Sequence, residues 1–130
     1  MGPPLHEPGC VFCTMAEDCV VADNRLAYTV RDTSPVTLLH TLVLPKRHVA
    51  SYFDLSALEK GAIDELLEQN RFEIVAHDPT VMGFNIGINI GEVAGQTVFH
   101  CHAHLIPRRI GDVADPRGGV RAVIPGKALY

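Results

Sequence analysis

Val98-Phe99-His100-Cys101-His102-Ala103-His104-Leu105-Ile106 is the stretch whose reading decides both fold and chemistry. Successive residues of a β-strand point to opposite faces. His100, His102 and His104 are therefore expected on one face, and Phe99, Cys101, Ala103 and Leu105 on the other. The second set reads as a core face. The first sets three imidazoles in a row, about 7 Å apart along the backbone. Imidazole is a good nucleophile near neutral pH, and flanking imidazoles can fix its tautomer, supply protons or stabilise charge. Three metal ligands on one strand, or a chance row on a solvated face, are the competing readings. Just upstream, Gly95-Gln96-Thr97 adds an amide, a hydroxyl and pliable backbone where an anion can be cradled.

Working outward, Phe84, Ile86, Ile88 and Ile90 alternate with Gly83, Asn85, Gly87 and Asn89. This is a half-buried strand whose second face, small and amide-bearing, suits the floor of a polar pocket. Asn85 itself reads as a strand-face amide satisfied by neighbouring backbone. Before that strand, Ser56-Ala57-Leu58-Glu59 has the capping-box form. Leu58, Ala62, Ile63, Leu66, Leu67 and Ile74 then recur near helical spacing until Asp78-Pro79 ends the helix. Earlier still, Cys19 to Ala22 and Leu26 to Arg31 read as strands joined at Asp23-Asn24. Thr41 to Leu44 reads as a buried strand stopped by Pro45. The histidine strand itself is expected from Thr97 to Ile106. Antiparallel strands with one principal helix predict an α+β fold in a single domain, residues 1–130. Residues 1–9 are expected as a flexible N-terminal tail and residues 107–130 as an irregular C-terminal tail.

A chain of 130 residues suffices for one core, and 47% hydrophobic with 20% charged residues is the balance of a soluble globular protein. No run approaches the roughly 18 apolar residues of a membrane span, and Met1 to Gly9 lacks a signal-peptide core. A cytoplasmic protein with reduced thiols is the expectation. The net charge of −4 argues against a bulk nucleic-acid binder. Cys10-Val11-Phe12-Cys13 is a C-x-x-C knuckle, able to grip a tetrahedral zinc if two more ligands come from elsewhere; two ordinary reduced cysteines are the alternative. Cys19 and Cys101 carry no spacing signal and read as core thiols. Asp32 reads either as a turn former before Thr33-Ser34-Pro35 or as a carboxylate gripping two ribose hydroxyls. His40 and His77 read as structural or surface residues. Lys46, Arg47, Arg108 and Arg109 are basic side chains to which no role is assigned.

Asn89-Ile90-Gly91-Glu92-Val93-Ala94-Gly95-Gln96-Thr97-Val98-Phe99-His100-Cys101-His102-Ala103-His104 resembles the signature of the histidine-triad (HIT) family. That family's run of His, apolar, His, apolar, His and two apolar residues is filled by His100 to Ile106. The likeness spans about Cys10 to Ile124, and Arg108-Arg109 with Asp115 to Arg121 resembles the small bacterial-type branch. It implies an antiparallel sheet of about five strands with one main helix, continued across a homodimer. It also implies a nucleotide hydrolase that cleaves at the α-phosphate of a conjugate, with a purine nucleotide as substrate. The conjugate is a dinucleoside polyphosphate, a nucleoside phosphoramidate or a small acid anhydride, and the intermediate is a covalent nucleotidyl-His102. On this resemblance His104 contacts phosphate oxygens and assists the leaving group, His100 supports His102, Asp32 binds ribose, and Asn89, Gln96 and Thr97 line the phosphate site. Some members bind zinc through two such cysteines, a histidine matching His48 and the first motif histidine. Cys10, Cys13, His48 and His100 are accordingly expected as a structural zinc site. Transferases of the superfamily commonly carry glutamine at the third motif position, so His104 favours hydrolysis over nucleotidyl transfer. A nucleotide-binding or scaffold protein of low turnover is the non-enzymatic alternative, and neither a nucleic-acid nor a membrane partner is implied. Leu39 stands where family members often carry glycine.

Overall fold

In the computed structural model, which describes residues 7–130, a single long helix lies across one face of a five-stranded sheet. The strands are β1 (Val20–Asp23), β2 (Ala27–Arg31), β3 (Thr41–Pro45), β4 (Val81–Ile88) and β5 (Ala103–Arg109), and the helix is α1 (Ala57–His77). All pairings are antiparallel, in the order β1-β2-β3-β5-β4, which is the α+β arrangement expected. Asn24 makes the first turn: its side-chain oxygen accepts from Leu26 N (3.1 Å) and Ala27 N (2.9 Å), and its amide donates to Ala62 O in α1 (2.9 Å). No helix among the described residues is long and apolar enough to cross a membrane.

The capping box sets how α1 is rotated on the sheet. Ser56 Oγ accepts from Glu59 N (3.1 Å) while the Glu59 carboxylate accepts from Ser56 N (2.9 Å). The same carboxylate takes two hydrogen bonds from Arg47, at 2.7 and 2.9 Å, which hold it well below the usual carboxylate range. Glu59 is thereby buried, and Leu58, expected on the inner face, is turned out to solvent. Ile63, Leu66, Asn70 and Ile74 continue the buried stripe at steps of three and four residues. Ile63 and Leu66 pack on Ala27, Val43, Cys101 and Ala103, and Ile74 on Val81 and Leu105. On the opposite face of the sheet, Cys10 and Phe12 cover Tyr28, Val30, Leu42 and Leu44. Further along that face the registers Leu42↔His104 and Gly87↔His104 leave His104 without such a cover.

Several expectations need correction. The histidine strand begins only at Ala103, not Thr97. Pairing with β3 runs from Thr41 to Val43 and stops short of Pro45, which has no N–H to extend the ladder and whose carbonyl instead accepts from the His100 ring. Residues before Ala103 therefore leave the strand alternation, and Phe99, expected in the core, is half exposed. At its other end β5 continues to Arg109, into the region expected to be irregular. Beyond it, Gly119–Val123 form a 3-10 turn packed against β4. Gly118 (φ +91°) is needed there, because a Cβ would lie 1.6 Å from Ala128 O. Cys101 is a core thiol, with its pKa pushed up to about 11 by burial, but Cys19 is exposed. Of the expected N-terminal tail, residues 1–6 lie outside the described residues, and Glu7 O accepts from Cys10 N at 3.0 Å.

Candidate active site

A cavity of about 450 Å³ opens on the sheet face opposite α1. Val11, Phe12 and Met15 form one apolar wall and Val30 and Leu42 the floor, while Asp32, Asn89, Thr97, His102 and His104 bring the polar groups. His102 and His104 lie with ring centroids 5.2 Å apart, and Phe12 packs on His102 at 5.1 Å. His102 Nδ1 is 2.8 Å from the His100 carbonyl oxygen. A carbonyl can only accept, so Nδ1 carries the proton and Nε2 keeps its lone pair. That is the tautomer a nucleophile needs.

His40, read from sequence as structural or surface, completes the array. It is 2% exposed, and its Nε2 lies 2.9 Å from His104 Nδ1. The direction of that bond follows from its other nitrogen: Nδ1 accepts from Val36 N at 3.0 Å, so the His40 proton sits on Nε2 and is donated to His104. His104 is left with a proton on its own Nε2. Asp32 Oδ2 stands 3.5 Å from His40 Nε2, and Asp32 Oδ1 accepts from Ser34 N at 2.8 Å. Asp32 thus forms the turn, and it also borders the cavity. Asp32, His40 and His104 are close enough to share a metal ion, but a metal on His40 Nε2 would require the proton on Nδ1, where Val36 N–H already points. The group is better suited to relaying hydrogen bonds.

Burial holds His40 and His104 below the ordinary imidazole value of 6.5, with the His102 and His40 rings adding to the effect at His104. The unfolded chain then binds more protons than the native one just below pH 6.5. Stability from these groups is complete above that value and declines as pH falls beneath it. The urea midpoint is expected to hold steady from about pH 7 to 8, to fall between about pH 6.5 and 5, and to fall less steeply in His40→Gln. Equal slopes in the two proteins would show that His40 is not kept neutral by the fold.

The other predicted residues divide. Asn89 and Thr97 border the cavity. Gln96 does not: it is buried, its oxygen accepts from Gly91 N (2.9 Å), and its amide donates to Ala50 O (2.9 Å) and Val98 O (3.1 Å). Every hydrogen-bonding group of that side chain is spent on shaping the loop. The Asn85 side-chain oxygen accepts from the Arg108 guanidinium at 2.6 Å, not from backbone. The basic side chains are also committed elsewhere: Arg47 to Glu59, Arg108 to Asp112, Arg109 to Asp78, and Lys46 to Asp23 on the surface.

The ring of His100 is turned away from the cavity and fully buried, so the triad is not three rings in one row. Its Nε2–H donates to Pro45 O at 2.7 Å, which leaves the Nδ1 lone pair 3.5 Å from both Cys10 Sγ and Cys13 Sγ. Cys13 Sγ lies 3.3 Å from His48 Nδ1, and all four donor atoms fall within 4.8 Å of one another. Ligands of a tetrahedral zinc sit about 3.3–3.8 Å apart, as follows from bonds of about 2.0–2.3 Å. The donor set, its spacing and the His100 tautomer all fit such an ion. Burial, then the adjacent Cys10, raises the Cys13 thiol, which a bound cation would reverse.

An antiparallel sheet crossed by one helix, carrying His102 oriented by the His100 carbonyl beside a His104 held by His40, defines a histidine-triad architecture. Residues 14–111 match the HIT domain, and the chain belongs to the HIT family. A crystal structure of a HIT family protein from Bacillus anthracis is similar, with a TM-score of 0.74 and 36% identity over 81% of this chain and 77% of that one. A Zn-bound histidine triad family protein from Mycobacterium smegmatis gives 0.70 and 33% identity, over 82% and 80%. AP-4-A phosphorylase of Mycobacterium tuberculosis is 34% identical over 97 residues, which are 74% of this chain and 49% of that protein.

Proposed function

We propose that this protein is a nucleotide phosphohydrolase that cleaves at the α-phosphate of a nucleotide conjugate through a covalent nucleotidyl-His102. One observation carries the reading: His102 is held by the His100 carbonyl at 2.8 Å, with its Nε2 lone pair free, in a cavity it shares with His104. The apolar wall of Val11, Phe12 and Met15 accepts the flat face of a purine, and Asp32 takes the ribose hydroxyls at the cavity's edge. Asn89 and Thr97 donate to the phosphate.

His102 Nε2 attacks phosphorus, and the bond to the leaving group breaks. His104 Nε2–H hydrogen-bonds the departing atom or a phosphate oxygen, held in place by His40. Water then attacks the nucleotidyl-histidine and releases the nucleoside monophosphate. Zinc on Cys10, Cys13, His48 and His100 belongs to the same reading. Bound there, it would supply structural cross-linking, tying the N-terminal segment to the residue whose carbonyl orients His102.

A cytoplasmic homodimer completes the proposal. β4 is an edge strand with Met82 and Ile86 exposed, and Phe72 stands out from α1 at 74% exposure, an apolar surface that pairing with a second copy would cover. Light scattering on wild type and Phe72→Glu tests this; a wild-type monomer would contradict it. The function is tested by AMP release from adenosine phosphoramidate, an acyl-adenylate and diadenosine polyphosphates. Release from at least one supports the hydrolase. Binding of AMP with no release from any leaves transfer to an acceptor or a binding role.

A further inference from the structure

The segment Cys10-Val11-Phe12-Cys13 belongs to two sites at once. Its sulfurs join His48 and His100 in the four-donor cluster, while Val11 and Phe12 between them wall the cavity that holds His102. The Phe12 ring lies 5.1 Å from the His102 ring and 5.9 Å from that of His100, and Phe12 O accepts from the Tyr28 hydroxyl. Both sulfurs lie 3.5 Å from His100 Nδ1, and the carbonyl of that same residue accepts from His102 Nδ1 at 2.8 Å. One pair of sulfurs therefore stands behind both the apolar wall and the orienting carbonyl.

Both cysteines also border open space. A cavity of about 460 Å³ is lined by Glu7, Cys10, His48 and Phe99, and one of about 310 Å³ by Cys13, Met15, Tyr28 and Lys46. The two sulfurs lie within 4.8 Å of each other. The remaining cysteines are placed otherwise: Cys101 is buried and packs toward α1, and Cys19 is exposed on the turn before β1.

We propose that Cys10 and Cys13 are a thiol switch: a peroxide joins them in a disulfide, which expels the bound metal and weakens both nucleotide binding and cleavage. The inference rests on the zinc and hydrolase readings above. A disulfide sulfur carries neither charge nor proton, so it neither holds a cation nor donates to His100 Nδ1. The buried His100 ring loses its partners on that side, and its carbonyl is no longer anchored. Drawing the sulfurs to about 2 Å also displaces Val11 and Phe12.

The step balances. Cys13 Sγ, the more exposed sulfur, attacks a peroxide oxygen; the S–O bond forms, the O–O bond breaks, and one water leaves. Cys10 Sγ then attacks the sulfenic sulfur; the S–S bond forms, the S–O bond breaks, and the departing hydroxide takes a proton to leave as the second water. The two sulfurs together lose two electrons and the peroxide gains them. From metal-bound thiolates, the two protons come from solvent and the cation is released.

The test treats the intact protein with hydrogen peroxide, and Cys19→Ser beside it to remove the exposed thiol. Peptide mapping is expected to find Cys10 linked to Cys13, with stoichiometric zinc release to a chromogenic chelator. The AMP dissociation constant is expected to rise at least about threefold and AMP release from an adenylate conjugate to fall at least about tenfold, alike in both proteins. Dithiothreitol with added zinc is expected to restore both. Reversal matters because Met15 lies in the same wall, and a thiol reductant does not repair a methionine sulfoxide. Loss of function with Cys10 and Cys13 unlinked, loss that dithiothreitol does not reverse, or a linked protein with unchanged AMP affinity overturns the switch. Reduced protein that binds AMP but cleaves no conjugate counts against the hydrolase instead, and the disulfide, zinc release and AMP affinity still decide the switch. Protein that holds no zinc when reduced overturns the metal's part, and reduced protein that does not bind AMP overturns both readings.

Discussion

His102→Asn is expected to lower AMP release by at least about 10⁴-fold while changing AMP affinity only a few-fold. Asparagine keeps a donor that can reach the His100 carbonyl, so the local backbone is preserved. It has no lone pair of imidazole basicity to place on phosphorus. The apolar wall, Asp32 and His104 are untouched, so binding survives. Steady-state kinetics with calorimetric AMP titration separates the two quantities. A variant that keeps a tenth of wild-type turnover would mean that water attacks phosphorus directly, with His102 only stabilising charge.

The second large effect concerns the proposed metal. Cys13→Ser is expected to lower the free energy of unfolding by about 3 kcal/mol or more, and a strong chelator to lower the wild-type melting temperature without affecting the variant. The sulfur of Cys13 lies within 3.5 Å of both His48 and His100, so it links two segments 35 and 87 residues away in sequence. Loss of that link frees the His100 carbonyl to move, and kcat should fall more than KM rises. Metal analysis of the purified protein closes the test: no zinc, together with a melting temperature indifferent to chelator, would leave the four residues as an ordinary hydrogen-bonded cluster.

Much of this site was legible in the sequence, for local reasons. The Ser56–Glu59 box announces the helix start because its partners are three residues apart, and the structure repeats it. The C-x-x-C knuckle and the alternating histidines are likewise short-range patterns. What escaped depends on long-range register. His40 becomes part of the array because Thr41 pairs with Leu105 and Leu42 with His104, and no spacing within either segment reveals that pairing. The only local hint was a histidine at the entry to a buried strand. Its preceding residue carries a related lesson: Leu39 adopts φ +73°, a left-handed conformation that favours glycine, while Asp32 N still bonds His40 O at 2.9 Å. Leu39 thus carries backbone strain where a glycine would carry none, and Asp32 stays bonded to the backbone beside it.

The rest was misread because strand alternation was carried past the strand. Period-two reasoning put His100 in line with His102 and Phe99 in the core, yet the ladder stops short of Pro45, and His100 turns to the cysteines instead. Gln96 looked like a phosphate ligand because it is polar and next to the triad. Its burial among the Gly91, Ala50 and Val98 backbone groups depends on a loop fold that composition cannot reveal.

The most direct test of the central claim is to trap the intermediate. Wild-type protein is mixed with an adenylate conjugate, quenched within a turnover, digested at neutral to alkaline pH and mapped by mass spectrometry. The prediction is a single AMP adduct on His102, formed and lost at rates compatible with turnover, and absent in His102→Asn. Turnover with no adduct at any time, or an adduct on another residue that forms equally in His102→Asn, would contradict it.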